Sequence, residues 1–181
     1  MKLICSFILL ASSWLYAESI QERVELSLQS NFGKNIEFSF SYLELTPEIK
    51  REIENASQQR FFRDKIYYWS IIRNDSTVAI AALDNVMGKA MPITVLVIFE
   101  PSGAILKAEI VKYRESIGGE VSNANWLIQF AGLHQDEFND PNTRIDGISG
   151  ATISVKAVSK GIKKMSLLYP IIKTHALASR E

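Results

Sequence analysis

Lys65-Ile66-Tyr67-Tyr68-Trp69-Ser70-Ile71-Ile72-Arg73, then Asn74-Asp75-Ser76, then Thr77-Val78-Ala79-Ile80-Ala81-Ala82-Leu83-Asp84-Asn85-Val86 is a run of branched and aromatic residues broken by three turn formers. Branched and ring side chains fit a pleated surface, and Asn and Asp tolerate left-handed backbone, so the stretch predicts two strands joined by a tight hairpin. The same pattern returns at 93–100 and 104–112 around Pro101-Ser102-Gly103. Upstream, 36–45 alternates with Phe38, Phe40 and Tyr42 on one side and predicts a further strand. Strands joined by tight turns run in opposite senses, so the sheet is expected to be mostly antiparallel.

Helical patterns flank these strands. Ile20, Val24 and Leu28 recur at a spacing of four within 19–32. Thr46-Pro47-Glu48 is a helix start: Thr can cap, Pro fits the first helical position, and Glu48 complements the positive helix end. That helix is expected to run to about residue 57. A short helix is expected at 122–130, an irregular polar loop at 132–144 and a long final helix at 153–169, whose Val155, Val158, Ile162, Met165 and Leu168 form one apolar stripe. The fold class expected is α+β: a single domain, a mostly antiparallel sheet with flanking helices, preceded by a signal peptide. No internal repeat, low-complexity linker or second domain is visible.

The signal peptide is read at residues 1–17. Lys2 is followed by an apolar run at 3–10, then small and polar residues, then Leu15-Tyr16-Ala17 ahead of Glu18. Cleavage is expected after Ala17, giving a periplasmic or otherwise exported protein. Leu15 is a mediocre residue three before the cut, so retention as a membrane anchor stays open. Against it, Ser6, Ser12 and Ser13 interrupt the stretch, which falls short of the ~20 apolar residues of a spanning helix. The single cysteine, Cys5, lies inside this segment. A chain starting at Glu18 has none, which excludes disulfides, thiol chemistry and iron–sulfur ligation.

The 20 basic and 20 acidic residues balance, and no basic surface for a polyanion emerges. Nucleic acid is excluded as a partner. Lys160, Lys163 and Lys164 are the densest basic group, expected to form a solvated helix face.

Asp146-Gly147-Ile148-Ser149-Gly150-Ala151-Thr152-Ile153-Ser154-Val155-Lys156-Ala157 is the stretch richest in chemistry. It sets one hydroxyl, Thr152, in the first turn of the last helix, where backbone N–H groups and the helix dipole favour a phosphate. Small residues keep bulk away from it. On these residues alone, Ser149 or Thr152 would serve equally as a simple helix cap.

Three further landmarks stand upstream in order: Gly88-Lys89-Ala90-Met91-Pro92-Ile93-Thr94, Tyr113-Arg114-Glu115-Ser116-Ile117-Gly118-Gly119-Glu120 and Trp126-Leu127-Ile128-Gln129-Phe130-Ala131-Gly132. Together with the Asp146 stretch they resemble the FMN-binding domain family, which includes flavinylated subunits of the Rnf and sodium-pumping NADH:quinone reductase complexes and small exported proteins. The resemblance covers roughly 78–165, and more loosely the chain back to about 45. It divides the chain into an N-terminal helix and strand part at 18–74, an FMN-binding domain at 75–170 and a tail at 171–181.

The resemblance implies that Thr152 is esterified to the phosphate of FMN, with Ser149, Gly150 and Ala151 forming the attachment turn. It implies that Glu115, Ser116, Gly118 and Gly119 stand where the family has a flavin-contacting loop, here without that loop's usual proline. A plain connecting loop reads the same way. Trp126 would cover a flavin face or, with Phe130, belong to the core. Lys89 would lie near a reduced flavin or sit on a tight turn. Asp146 would ligand magnesium during attachment or serve only its Asp-Gly turn.

Attachment in the family is performed by an FAD:protein FMN transferase, and no base beside Thr152 suggests self-catalysis. The implied role is an exported electron carrier with a membrane or periplasmic redox partner. A membrane-anchored subunit of a redox complex and a non-redox exported binding domain stay open. No catalytic set of its own is read in the chain. His134 and His175 lack other ligand types at metal-binding spacing and are expected at the surface, with no metal site.

Overall fold

The computed structural model describes residues 19–33 and 35–179, so the expected signal peptide, with Cys5, lies outside the described residues. α1 (Ile20–Phe32) begins at a reciprocal cap, in which Glu22 N–H donates to Ser19 Oγ at 3.1 Å and Ser19 N–H donates to Glu22 Oε2 at 2.7 Å. β1 (Glu37–Glu44) and α2 (Pro47–Ser57) follow, the latter started by Thr46, whose Oγ1 accepts from Ile49 N–H at 3.3 Å. β2 (Lys65–Arg73) and β3 (Ser76–Met87) then form the expected hairpin. Its turn is one residue shorter than expected. Asn74 and Asp75 both take positive φ, 50° and 59°, while Ser76 already pairs with Arg73; this primed two-residue turn matches the twist of the strands it joins.

β4 (Pro92–Phe99) and β5 (Ile105–Lys112) complete a five-stranded sheet in the order β1-β2-β3-β4-β5, antiparallel throughout. α3 is only Ala124–Leu127, flanked by 3-10 turns at Gly119–Ser122 and Ile128–Phe130, so the short helix expected at 122–130 is present in fragments. A further 3-10 turn, Gln135–Asn139, lies in the loop expected to be irregular.

Side chains alternate across the strands and build two cores. One face, with Ile66, Tyr68, Ala82, Val86, Val95, Val97 and Phe99, packs on α4 (Thr152–Ala178) and α2. The other, with Trp69, Ile71, Ala79, Ala81, Leu96 and Ile98, packs on Val24 and Leu28 of α1. α4 approaches β3 closely at Gly161, where a Cβ would collide with Val86 Cγ1. Only glycine permits that contact.

Three expectations about α4 are corrected. It does not end at Tyr169 but runs 27 residues, through Pro170, to Ala178. Proline in a helix interior costs about 3 kcal/mol, yet Ile172 and Ala176 beyond it are buried and His175 Nδ1 lies 2.8 Å from Tyr68 Oη. Burial of this last stretch offsets the break, and it makes His175 a half-buried residue instead of a surface one. Lys164, expected on a solvated face, is fully buried. Its ammonium lies 2.6 Å from Asp84 Oδ2, donates to the Arg60 carbonyl at 2.8 Å and stands 4.4 Å from the Phe61 ring centre. Burial raises the Asp84 carboxyl pKa, with the Lys164 charge opposing the shift. Lys163, by contrast, is partly exposed and reaches Asn139 Oδ1 at 2.7 Å.

Candidate functional site

α4 begins at Thr152 without help from any side chain. Its N-cap is Ala151, and no side chain accepts from the first-turn amides; neither Ser149 nor Thr152 caps the helix, which removes the simplest reading of those hydroxyls. The first intrahelical bond runs from Val155 N–H to the Ala151 carbonyl at 2.9 Å. The amides of Thr152, Ile153 and Ser154 are therefore orphan donors of the kind that bind anions. Ala151 is buried and anchors the turn, whereas Ser149, Gly150 and Thr152 are exposed. Gly150 has φ +81°, and a Cβ placed on Gly147 or Gly150 would meet nothing within 4 Å. The space over the hydroxyl is open.

The turn is held from behind by Trp126 and Gln129. The Trp126 indole N–H donates to the Asp146 carbonyl at 2.7 Å, and Gln129 Oε1 accepts from Asp146 N–H at 2.7 Å. Trp126 is 8% exposed and meets Phe130 edge to face at 5.4 Å. Of the two roles the sequence left for Trp126, this geometry is that of the core: its ring packs inside and its N–H fixes the turn at Asp146. Gln129, not singled out from the sequence, shares that task. The Asp146 side chain is exposed, and among the described residues no group of three or more His, Cys, Asp or Glu side chains could hold a metal ion.

Tyr113 links the loop after β5 to α4. Its hydroxyl donates to the Ile117 carbonyl at 2.5 Å and lies 2.9 Å from Ser154 Oγ. Gly118, at φ +88°, is pressed against this pair, and a Cβ there would stand 2.6 Å from Ser154 Oγ. Its glycine is thus required by packing. Gly119 is exposed and would bring a Cβ only into ordinary contact with the Tyr113 ring at 3.7 Å. Neither Tyr113 nor Ser154 was marked by the sequence, because their contact joins positions far apart in the chain.

Glu115 is engaged by the turn between β3 and β4. Its Oε1 accepts from Ala90 N–H at 2.7 Å and Met91 N–H at 3.0 Å, clasping the β3–β4 turn that carries the exposed Lys89. The Met91 and Ala90 amides, aided by Lys89, hold the carboxyl below its ordinary pKa. Ser116 is exposed. The residues singled out therefore fall into two groups. Asp146, Ser149, Gly150, Ala151, Thr152 and Trp126 form one assembly, which Gly118 joins through Ser154. Glu115 and Lys89 form a separate clasp at the sheet end.

Beside Thr152 runs a cleft of about 380 Å³, with Ile145, Ile148 and Val155 as its apolar wall and Lys156 and Lys160 as its basic rim. Ser159 also lines it, and its Oγ is buried without a hydrogen-bond partner among the described residues. Residues 88–166, from the β3–β4 turn to the middle of α4, match the family model of the FMN-binding domain. Over these residues the chain is similar to the FMN-binding domain family. Comparison with curated proteins finds no match.

The matched residues hold β4, β5 and the Asp146–Thr152 turn, while β1 to β3 lie ahead of them in the same sheet. The group that the family binds fits what is present: uncapped amides for a phosphate, open space over Thr152, and a cleft with apolar and cationic sides and an unpaired Ser159 hydroxyl for the ring and ribityl chain.

Proposed function

We propose that this protein is an exported electron carrier that holds FMN through a phosphoester to Thr152. The observation that carries the reading is the start of α4, where an exposed threonine hydroxyl stands at a helix end that no side chain caps. The phosphate becomes a singly charged diester at a helix N-terminus, a placement worth ~0.3–1 kcal/mol where exposed. Bound FMN supplies one- and two-electron redox chemistry. Lys156 and Lys160 give the adjoining cleft positive charge, Trp126 and Gln129 hold the turn still, and Tyr113 with Ser154 braces the helix start.

Attachment requires a second protein of the FAD:protein FMN transferase class. The Thr152 Oγ1–phosphorus bond forms, the bond from that phosphorus to AMP breaks, and the hydroxyl proton leaves to the transferase's base. A permanent link suits an exported protein, since FMN released outside the cytoplasm is lost by dilution. Cleavage after Ala17 and release to the periplasm belong to this reading, with electrons exchanged with a membrane or periplasmic partner. No helix among the described residues is long and apolar enough to cross a membrane.

The test is intact mass after production with and without the transferase. The expected result is a gain of one FMN less one water, a yellow fluorescent band that survives boiling in detergent, and loss of both in Thr152→Ala. A colourless protein of unchanged mass in the presence of active transferase overturns the proposal.

A further inference from the structure

The sheet face turned away from α4 is only partly covered. α1 lies over one part of it, fixed by Ser27 Oγ donating to Glu109 Oε2 at 2.5 Å and by the Trp69 indole N–H donating to Glu25 Oε1 at 3.4 Å. Beside the first turn of α1, the residues Phe40, Tyr67 and Trp69 line an open groove. Phe40 stacks on Tyr67 with ring centres 5.8 Å apart and an angle of 9°, and meets Trp69 at 4.9 Å. Despite these contacts Phe40 keeps 43% of its surface exposed. The groove encloses about 460 Å³, within the range of small-molecule sites.

Its polar wall is ordered. Arg114 donates to the Pro92 carbonyl and to Thr94 Oγ1, both at 2.9 Å, and Thr94 donates to Asn85 Oδ1 at 2.7 Å. Arg63 and Lys65 complete the lining. The carboxylates nearby are already engaged: Glu44 pairs with Lys65 at 3.2 Å, Asp84 pairs with buried Lys164 at 2.6 Å, and Glu25 Oε1 accepts from Gln21 at 2.9 Å and from the Trp69 indole. Arg63 is exposed and its charge acts on Asp84, but no hydrogen bond or salt bridge holds its guanidinium among the described residues. Aromatic ring faces thus meet an excess of positive charge.

We infer that this groove binds a planar aromatic carboxylate, with its ring against Phe40 and Tyr67 and its charge toward Arg63. Offset stacking accounts for the ring. A guanidinium fork presents paired donors that match a carboxylate, which a neutral ring of the same shape lacks. The inference is independent of the proposal for Thr152, which lies on α4 across the sheet.

The test titrates 2-naphthoate, with neutral 2-naphthalenemethanol as control, into the purified protein by calorimetry and by amide chemical-shift mapping. Saturable shifts confined to the groove are expected, with affinity at least ten-fold lower for the neutral probe. Arg63→Gln and Phe40→Ala should each weaken 2-naphthoate at least ten-fold while leaving the mass gain at Thr152 unchanged; Arg63→Gln should also leave the thermal melt unchanged, whereas Phe40→Ala gives up its contacts with Tyr67 and Trp69 and should melt earlier. Both side chains are exposed, and if Phe40→Ala perturbs folding, Arg63→Gln alone decides. No saturable binding, equal affinity for the two probes, or wild-type affinity in Arg63→Gln overturns the inference. So does finding the groove covered in solution by a second copy or by the chain's own N-terminal residues.

Discussion

The hydroxyls of Tyr113 and Ser154 lie 2.9 Å apart and tie the end of β5 to the first turn of α4, two residues beyond Thr152. Tyr113 also donates to the Ile117 carbonyl, so one phenol organises both the loop and the helix start. Residues two apart on a helix are separated by about 200°, which leaves the Thr152 hydroxyl unobstructed while Ser154 is buried. The bracing hydroxyl of Ser154 and the exposed hydroxyl of Thr152 thus point in different directions.

Tyr113→Phe should lower stability by ~1–3 kcal/mol, because the Ile117 carbonyl and Ser154 Oγ both lose their partner. Ser154→Ala keeps the bond to Ile117 and should cost ~0.5–1.5 kcal/mol. Chemical denaturation measures both. Each variant retains Thr152 and should still gain the mass of the flavin; loss of that gain in Ser154→Ala but not in Thr152→Ala would move the attachment point.

Gly118 and Gly119 should respond differently to a side chain. Gly118→Ala meets Ser154 Oγ at a left-handed backbone position, so it should be destabilising with or without flavin. Gly119→Leu should fold normally, because that position is open. In the flavinylated protein it should crowd the ring and shift the spectrum or midpoint potential, about 30 mV for each ~1.4 kcal/mol of differential stabilisation of a two-electron couple. Potentiometry showing an unchanged spectrum and potential would make residues 115–119 a connection only.

Lys164→Met should cost ~3–5 kcal/mol by leaving Asp84 buried without its ion-pair partner. Adding Asp84→Leu should restore most of that loss, since a buried pair replaced by apolar groups is often neutral. Thermal and urea melts of the single and double variants measure the coupling. Additive losses would show that the two charges do not act as a pair.

Glu115 should make the β3–β4 turn sensitive to acid. Its carboxyl lies below the ordinary value of 4.5 in the folded protein. The stabilisation is therefore present above that value and lost as pH falls through the folded one. Between pH ~6 and ~3, wild type should lose more stability than Glu115→Gln, whose side chain does not ionise. Equal pH dependence of the two in urea titrations would exclude the clasp as an acid-sensitive contact.

The hairpins, the two capped helices and the antiparallel sheet were legible in the sequence because their causes are local. Asn74-Asp75 permits left-handed backbone, Thr46-Pro47-Glu48 begins a helix, and alternation sorts side chains to two faces. The turn ahead of α4 was legible for the same reason, as small residues and a hydroxyl ahead of an apolar stripe. Glu115, Lys89 and Trp126 were noticed, but their directions were not fixed by their neighbours in sequence. Only the folded sheet sets Glu115 over the amides of Ala90 and Met91 and drives the Trp126 N–H into the back of the Asp146 turn. Lys164 looked like its solvated neighbours until the close approach of α4 to β3 at Gly161 carried it inside to Asp84. Pro170 spoke locally for a helix end, and burial of Ile172 and Ala176 outweighed it. Local chemistry determined which elements form and where the Thr152 hydroxyl stands; long-range packing decided what each polar side chain touches, because burial and pairing depend on partners that proximity in sequence does not specify.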